Sequence, residues 1–159
     1  MVKTADLCDA RDDVRVCRTQ FLSWGRKKAF EGPIRTVECF EDIALIRRLT
    51  EQPGGGAVLV VDGRGSLDRA LFGDAMAARM LRHGWAGAVV HGAIRDVAEI
   101  DSMQIGVKAV GTCPRRGSTR GDGGIDVPVS FGGMTFVPGE WLVADDDGVL
   151  VLAQRPAGE

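Results

Sequence analysis

The sequence predicts a single α/β domain of mixed layers, in which helices cover one sheet. Two patterns indicate this fold class. Through the middle of the chain, short apolar runs that end at glycine alternate with amphipathic stretches, which is typical of parallel strands joined by helices. In the last third, short β-rich runs are separated by glycine-containing turns, which is typical of antiparallel strands. A length of 159 residues is enough for one hydrophobic core.

The elements of the first two thirds are assigned from the hydrophobic period and from the glycine and proline residues that bound them. Thr4 can cap the first helix, and the second helix has Ile43, Ile46 and Leu49 on one stripe with arginines opposite. In chain order we predict a helix over residues 5–11, an exposed turn over 25–28, a strand over 33–40, a helix over 41–51, a strand over 57–61, a helix over 74–83, a strand over 88–90, one or two helical turns over 97–101 and a strand over 107–111.

Two of these strands, over 57–61 and 88–90, are short, rich in valine and bounded by glycine, so they are predicted to be parallel neighbours in the core. The helix between them carries Met76 and Met80 at helical spacing and ends before Gly84. Loops that leave the carboxyl ends of neighbouring parallel strands converge on one crevice. The residues that follow these two strands are therefore expected to face each other.

The last third of the chain has a different character. Residues 113–125 are rich in glycine and arginine and predict a mobile surface loop. Four short strands separated by turn dipeptides then predict an antiparallel meander. We assign these strands to residues 127–130, 134–137, 141–144 and 149–152. The single domain spans residues 1–159, with 153–159 as a loose C-terminal tail.

Composition and charge exclude several classes of protein. A net charge of −2 and a pI near 5.7 argue against direct binding to nucleic acid. No stretch approaches the roughly 18 apolar residues needed to cross a bilayer, and the N-terminus has no apolar leader, so we expect a cytoplasmic protein without membrane contact. The four cysteines form no Cys-x-x-Cys pair and only two histidines accompany them, which favours reduced thiols over a zinc site.

The candidate site lies in the segment Gly73-Asp74-Ala75-Met76 together with Arg95-Asp96, and Glu99 follows one helical turn later. A turn that opens a helix offers free N–H groups to an anion, and arginine can hold a carboxylate through two hydrogen bonds. Carboxylates suit a divalent cation such as Mg²⁺. A small 2-oxo acid and a cation could share such a site. On spacing alone, a surface ion-pair group explains Asp74, Arg95 and Asp96 equally well.

Two other motifs are better explained by ordinary turns. Gly63-Arg64-Gly65 follows a strand as a dinucleotide-binding turn would, but Asp68 occupies the third glycine position. A nucleotide-dependent methyltransferase would need a glycine-rich nucleotide site of this kind, and the sequence lacks one. Asp145-Asp146-Asp147-Gly148 lacks the ligand spacing and final glutamate of a calcium loop, so a polar hairpin turn is favoured.

Three further features have a chemical and a structural interpretation. Lys108 could form a Schiff base with an oxo acid, although a strand lysine that points outward is commoner. His91 could tune proton transfer, but a packed histidine beside the site is the simpler interpretation. Arg115, Arg116 and Arg120 have no interleaved aromatic residues for base stacking, which favours a solvated loop.

Several stretches in a fixed order resemble the RraA-like family. They are Cys39-Phe40-Glu41-Asp42, residues 58–63, Gly73-Asp74, Gly84-Trp85-Ala86-Gly87, residues 91–96, and residues 137–148. That family includes metal-dependent 4-hydroxy-4-methyl-2-oxoglutarate aldolases and protein regulators of ribonuclease E. The resemblance implies a layered β/β/α fold of the swivelling-domain type, assembled as trimers or hexamers. Gly25-Arg26 departs from the double glycine of many relatives, which puts that turn in doubt.

The resemblance also implies roles for the site residues. Aldolase-competent members carry an aspartate, twenty residues and then arginine-aspartate, which this chain keeps as Asp74, Arg95 and Asp96. Asp96 is then the ligand of Mg²⁺ or Mn²⁺, Glu99 orients a bound water, Asp74 handles protons, and residues 73–76 with Arg95 hold the substrate. Oxaloacetate decarboxylation is implied as a side activity. The alternative is a non-catalytic regulator that binds a ribonuclease E-type enzyme.

Overall fold

The computed structural model describes residues 1–157, which form four helices and eleven strands. The helices are α1 (Thr4–Ala10), α2 (Ala44–Thr50), α3 (Asp74–Arg82) and α4 (Val97–Ile100). The strands are β1 (Arg15–Val16), β2 (Leu22–Trp24), β3 (Phe30–Glu38), β4 (Val58–Asp62), β5 (Gly87–Ile94), β6 (Val107–Thr112), β7 (Gly124–Ile125), β8 (Val129–Phe131), β9 (Met134–Phe136), β10 (Trp141–Asp145) and β11 (Gly148–Leu152).

One mixed sheet organises the molecule, with strand order β1-β11-β10-β3-β4-β5-β6-β2 and with β7 paired to β3. Strands β3, β4, β5 and β6 are parallel to one another, and the other pairs in the sheet are antiparallel. The predicted parallel pairing of the two central strands is confirmed, since β4 and β5 run in register from Val58 opposite Gly87 to Asp62 opposite His91. Their carboxyl ends therefore lie side by side.

The sheet is covered on both faces, which explains the run of apolar residues in β4. Leu59 and Val61 pack in the layer that contains the helices, with Ile46, Leu49 and Met80. Val58 and Val60 pack in the opposite layer, whose other members come mainly from the C-terminal strands. A strand buried on both faces reads as continuous hydrophobic sequence rather than as an alternating pattern. The curled sheet and its helices give the layered β/β/α arrangement that the sequence predicted.

The predicted four-strand meander is wrong. Strands β8 and β9 form a hairpin of their own, whereas β10 pairs with β3 and β11. The turn between β9 and β10 bonds back onto β3, because Gly139 N–H donates to the Ile34 carbonyl and Ile34 N–H donates to the Glu140 carbonyl. These bonds place β10 beside β3 rather than beside β9.

The boundaries of several elements differ from the prediction; β5, for example, runs from Gly87 to Ile94 rather than over 88–90. The cause is visible at β3 and α2. Strand β3 runs from Phe30 to Glu38 rather than over residues 33–40. Residues 30–33 pair with β10 and Ile34 onward pairs with β4, so the proline lies where the strand changes partner. Helix α2 begins at Ala44 rather than at residue 41, because Glu41 has a φ of 53° and cannot be part of a helix.

The segment predicted as a mobile loop over residues 113–125 is instead anchored. The buried Asp42 carboxylate accepts hydrogen bonds from Ser118 Oγ at 2.7 Å and from the backbone N–H of Arg120 at 2.8 Å. The Gly121 N–H also donates to it, at 3.1 Å to Oδ2. Composition could not show this, because the acceptor lies far away in the sequence.

At the C-terminus, residues 153–157 contain no helix or strand, while Pro156 is buried and the Arg155 guanidinium lies 5.2 Å from the centre of the Trp141 ring. The last two residues of the predicted tail lie outside the described part. No helix within residues 1–157 has the length and apolar character needed to cross a membrane.

Candidate functional site

A cleft opens where β5 ends and α3 begins. The segment before α3 runs beside the end of β5, because Leu71 N–H donates to the Ala93 carbonyl at 2.8 Å and Arg95 N–H donates to the Phe72 carbonyl at 2.9 Å. The cleft has a volume of about 110 Å³, far below the roughly 300 Å³ of a drug-sized pocket, so it suits a molecule of a few carbon atoms. Its walls are Ile43, Arg47, Ala70, Leu71, Phe72, Gly73, Asp74, Ala75, Met76, Arg79, Arg95, Asp96 and Arg116.

The structure therefore brings together the segment over residues 73–76, Arg95 and Asp96, as the spacing predicted. Glu99 lies on α4 with its side chain exposed and does not line the cleft. Its charge is close enough to add to the repulsion felt by Asp74.

Asp96 is held in an unusual backbone conformation at the entry to α4. Its φ of 58° and ψ of 38° lie in the left-handed region, which aspartate tolerates better than most side chains. Its Oδ2 accepts a hydrogen bond of 3.2 Å from the backbone N–H of Asp74, the first residue of α3. The carboxylate thus occupies one of the donors that the helix N-terminus would offer to an anion.

Gly73 is required by space rather than by its backbone angles. A Cβ at this position would lie 2.7 Å from Asp96 Oδ2, although its φ of −146° is ordinary extended backbone. The absent side chain allows the Asp96 carboxylate to approach the start of α3. The sequence predicted Gly73 as part of a turn. The structure shows that a side chain at this position would collide with the Asp96 carboxylate.

The two aspartates interact directly. A hydrogen bond between the Asp74 and Asp96 carboxyl groups is the largest cause that raises the pKa of Asp74 above its usual value. Burial and the negative charges of Asp96 and Glu99 act in the same direction. The hydrogen bond from Ala75 N–H to Asp74 Oδ1, at 2.8 Å, opposes them. Such a pair favours either a shared proton or a bound cation between its oxygens.

Arg95 lies beside this pair but is not locked to it. Its Nε is 4.0 Å from Asp96 Oδ2, and its Nη1 donates to the Pro114 carbonyl at 3.3 Å. With 38% of its side chain exposed, the guanidinium retains donors for a ligand in the cleft.

The donor set fits a hard divalent cation that keeps most of its waters. Within residues 1–157, no group of three or more His, Cys, Asp or Glu side chains surrounds a common point. Asp74 and Asp96 nevertheless supply carboxylate oxygens at the mouth of an open cleft, and Mg²⁺ is often held by one or two carboxylates together with substrate oxygens.

Three arginines in the cleft were not predicted as site residues. We call Arg47, Arg79 and Arg116 the arginine wall. Arg47 follows Ile43 by four residues and Arg79 follows Ala75 by four, so each lies on the helix face that borders the cleft. This helical spacing was the available signal.

Arg116 reaches the cleft through tertiary bonds. Ala70 N–H donates to the Arg115 carbonyl, at 2.6 Å, and Gly117 N–H donates to the Ala70 carbonyl, at 3.0 Å. These bonds tie residues 115–117 to the segment that leads into α3. The interpretation of this arginine cluster as solvated holds for the exposed Arg116, but this residue also borders the cleft, which the sequence did not predict.

Lys108 does not point outward as predicted. Its neighbours Val107 and Ala109 pack in the helix-side core, whereas Lys108 faces the opposite layer and is only 3% exposed. Its Nζ donates to Ser23 Oγ at 2.9 Å, and burial lowers the pKa of the amine. The C-terminal strands cover this face of the sheet, which the alternating pattern could not show. Lys108 lines a separate cavity with Asp146 and Asp147, so it cannot reach a ligand held by Arg95.

His91 is a packed histidine, as the simpler interpretation expected. Its ring stacks on Phe131 with 4.5 Å between ring centres, and Nδ1 lies 3.3 Å from Asp62 Oδ1. The adjacent turn is closed to a nucleotide, because Gly63 and Gly65 both donate their N–H groups to the His91 carbonyl at 3.0 Å. The interpretation of Gly63-Arg64-Gly65 as an ordinary turn is confirmed.

The triple-aspartate segment is a hairpin turn between β10 and β11, as predicted. Asp145 accepts hydrogen bonds from Thr4 Oγ1 at 2.7 Å and from the Asp147 N–H at 3.0 Å. Its carboxylate is therefore used to hold the first helix and the turn. Gly25 keeps the early turn despite the neighbouring Arg26, since its φ is 88° and an added Cβ would collide with the Ile105 carbonyl.

The comparisons with known proteins agree on the family and on the fold. The model of the RraA-like family, described as aldolase/RraA, matches residues 4–151. A protein of Xanthomonas campestris pv. campestris, provisionally named 4-hydroxy-4-methyl-2-oxoglutarate aldolase, is 50% identical over 150 residues, covering 94% of this chain and 90% of the relative.

Two solved structures have nearly the same fold. One, from Geobacillus kaustophilus, carries the name S-adenosylmethionine:2-dimethylmenaquinone methyltransferase and superposes with a TM-score of 0.97 at 47% identity, covering 99% of both chains. The other is the RNA-processing inhibitor RraA from Thermus thermophilus, with a TM-score of 0.96 at 42% identity, covering 99% of this chain and 96% of that one.

Proposed function

The chain belongs to the RraA-like family, and from that premise we propose that it is a divalent-metal-dependent aldolase. The reaction is cleavage of 4-hydroxy-4-methyl-2-oxoglutarate, or a similar 4-hydroxy-2-oxo acid, to pyruvate and a second carbonyl compound. The observation that carries this proposal is the convergence of Asp74, Arg95 and Asp96 on one small cleft. The name of the Xanthomonas relative supports the same reaction.

Substrate orientation falls to Arg95 and the start of α3. The Arg95 guanidinium is always charged and can hold the carboxylate or the 2-oxo oxygen through a pair of hydrogen bonds. Residues 73–76 line the same cleft, where the positive end of the helix favours an anion. In this proposal the pyruvyl end of the substrate lies between the arginine and the start of α3, next to Asp96.

Proton transfer falls to Asp74. Cleavage removes the proton of the 4-hydroxyl group, breaks the bond between C3 and C4, and leaves the electron pair on the pyruvyl fragment, whose C3 is then protonated. A carboxylate with a raised pKa is a better base than an ordinary one, and it can return the proton afterwards. A bridging water can connect Asp74 to the hydroxyl group.

Asp96 would hold Mg²⁺ or Mn²⁺, and Glu99 could orient one of its waters. When bound, the cation would polarise the 2-oxo group and stabilise the negative charge that develops there. Oxaloacetate decarboxylation develops charge at the same position, so we expect it as a side activity. A homotrimer or hexamer in the cytoplasm is part of the proposal.

The test is a steady-state assay of pyruvate release from several 4-hydroxy-2-oxo acids and from oxaloacetate, with and without Mg²⁺. Arg95→Ala or Asp96→Ala should each cost roughly 3 kcal/mol of transition-state stabilisation, or about 100-fold in kcat/KM. Arg82→Ala is the matched control, because Arg82 is exposed on α3 and does not line the cleft. Wild-type turnover in both folded site variants, or full activity after metal chelation, would refute the proposal.

A second candidate function is inhibition of a ribonuclease E-type enzyme through protein contact. It is favoured by the likeness to the Thermus structure, which is named as an RNA-processing inhibitor. Nuclease assays with and without this protein separate the two functions. If Asp96→Ala abolishes pyruvate release and retains nuclease inhibition, the two functions are independent.

A further inference from the structure

The arginine wall carries more positive charge than the proposed reaction requires. The cleft is lined by Arg47, Arg79, Arg95 and Arg116 and by the two acidic residues Asp74 and Asp96. In the proposed reaction Arg95 alone orients the pyruvyl end. The other three guanidinium groups have no assigned role, and neither does the second carboxylate of the proposed substrate.

These three guanidinium groups have no partner of their own. Throughout residues 1–157, none of them makes a hydrogen bond or an ion pair, whereas Arg11, Arg15, Arg35 and Arg120 each pair with a nearby carboxylate. Arg47 and Arg79 are also half-buried rather than fully solvated. A half-buried, unpaired guanidinium in a cleft is placed to receive an anion from outside the chain.

The positions of these arginines indicate where such an anion would bind. Arg47 lies on α2 and Arg79 on α3, two helices that contact each other, and Arg116 lies on the anchored loop. Apolar side chains from Ile43, Leu71 and Met76 line the space with them. A ligand whose carboxylate binds Arg95 could therefore pack its carbon chain against these apolar side chains. A second anionic group at its other end would then contact the arginine wall.

We propose that Arg47 and Arg79, assisted by Arg116, form a subsite for the distal carboxylate of a 2-oxo dicarboxylic acid. This inference rests on the proposed function, whose substrate 4-hydroxy-4-methyl-2-oxoglutarate is a dicarboxylic acid, and it assigns the residues that bind the second carboxylate. The arginine wall then determines specificity and selects dicarboxylic over monocarboxylic 2-oxo acids. These residues bind the end of the substrate that does not react.

Two ligands of equal chain length test the subsite without any turnover. 2-Oxoglutarate and 2-oxopentanoate differ only in that a distal carboxylate replaces a methyl group. Calorimetric titration of the whole protein with Mg²⁺ present should show 2-oxoglutarate binding at least tenfold more tightly. Arg47→Met and Arg79→Met should each weaken 2-oxoglutarate about tenfold, as expected for one lost charge-assisted hydrogen bond, and leave 2-oxopentanoate unchanged.

Matched controls are present on the same helices. Arg48→Met and Arg82→Met remove the same charge from exposed positions that do not line the cleft, and they should change neither affinity. Methionine keeps the apolar stem and the helix propensity, so folding should be retained, and Arg79→Lys should restore part of the lost affinity. Arg95→Ala should weaken both ligands, since it removes the contact to their common end.

Several results would overturn the subsite. They are equal wild-type affinity for both ligands, equal loss of both ligands in the arginine-wall variants, and loss in the Arg48→Met and Arg82→Met controls. Discrimination between the ligands without pyruvate release from any hydroxy acid would refute the proposed lyase reaction and keep the subsite. Pyruvate release without discrimination would do the reverse.

Discussion

The backbone N–H of Asp74 donates a hydrogen bond of 3.2 Å to Oδ2 of Asp96, which joins the first residue of α3 to the turn after β5. The Asp96 backbone reaches this position through a left-handed conformation that costs free energy in most residues. Two elements that are distant in sequence thus set the position of one carboxylate. Changes that disturb either element should alter the cleft before they alter the fold.

Gly73→Ala should displace the Asp96 carboxylate while the fold survives. The added methyl group would lie 2.7 Å from Asp96 Oδ2, which is the free end of a side chain and can move away. We expect a loss of less than about 1 kcal/mol in the free energy of unfolding, within the usual range for one substitution. Pyruvate release should fall by about tenfold or more, since small misplacements at a site are costly.

The cause of that loss can be isolated with a double-mutant cycle. In an Asp96→Ala background, Gly73→Ala has no carboxylate to displace, so it should have no further effect on activity. Additive losses in the double variant would show that Gly73 acts by some route other than Asp96. Urea unfolding of all four proteins provides the stability control.

Asp74→Asn should separate stability from activity. Because the pKa of Asp74 is raised, its contribution to stability is present at pH values below its ordinary pKa and is lost as the pH rises through the folded value. A neutral asparagine keeps that contribution at pH 7. The melting temperature of the metal-free variant should therefore be slightly higher at pH 7 and equal to wild type near pH 3, whereas kcat should fall roughly 100-fold.

The pH profile provides the second measurement of the same prediction. If Asp74 must be ionised to take a proton, wild-type kcat/KM should rise with pH as Asp74 ionises, and the variant should lose that dependence. A wild-type profile that is flat across this range would contradict the role of Asp74 as a base.

The parts of the fold that could be predicted are those set by local patterns. Strands β4 and β5 and helix α3 follow from apolar runs and from glycine boundaries, and their parallel pairing brought Asp74 and Arg95 to one cleft. The orientation of Lys108 could not be predicted, because its face is covered by strands that arrive later in the chain. The pairing of β10 with β3 could not be predicted either, because it joins strands that are far apart in the sequence.

The arginine wall shows the same limit within the site. An arginine on the polar face of an amphipathic helix is usually solvated, so the helical spacing of Arg47 from Ile43 could not by itself distinguish a cleft residue from a solvated one such as Arg48. Only the contact between α2 and α3 makes that distinction. Arg116 depends on hydrogen bonds to Ala70, more than forty residues earlier in the chain.

Thiol titration should divide the cysteines by burial. Burial, with the nearby charges of Asp42, Asp62 and Glu38, raises the pKa of Cys39 to about 12, and burial also raises the pKa of Cys17. Reaction needs the thiolate, so both should be unreactive toward a thiol reagent until the protein unfolds. Cys8 is exposed and should react at once, a phase that Cys8→Ser would remove. Rapid native-state labelling of Cys39 would contradict the structure.

Asp42→Asn should destabilise the protein by about 2 kcal/mol, because the amide leaves a buried donor of residues 118–121 without its acceptor. Burial opposes ionisation of Asp42, but its hydrogen bonds prevail and hold its pKa below the usual value. Its stabilisation is therefore present above the ordinary aspartate pKa and is lost as the pH falls through the folded value. Urea unfolding at several pH values should show that the difference in free energy of unfolding between variant and wild type disappears in acid.

Asp122→Asn is the control, because Asp122 lies on the same loop but is 80% exposed. It should leave the free energy of unfolding unchanged, and a loss equal to that of Asp42→Asn would refute the assignment.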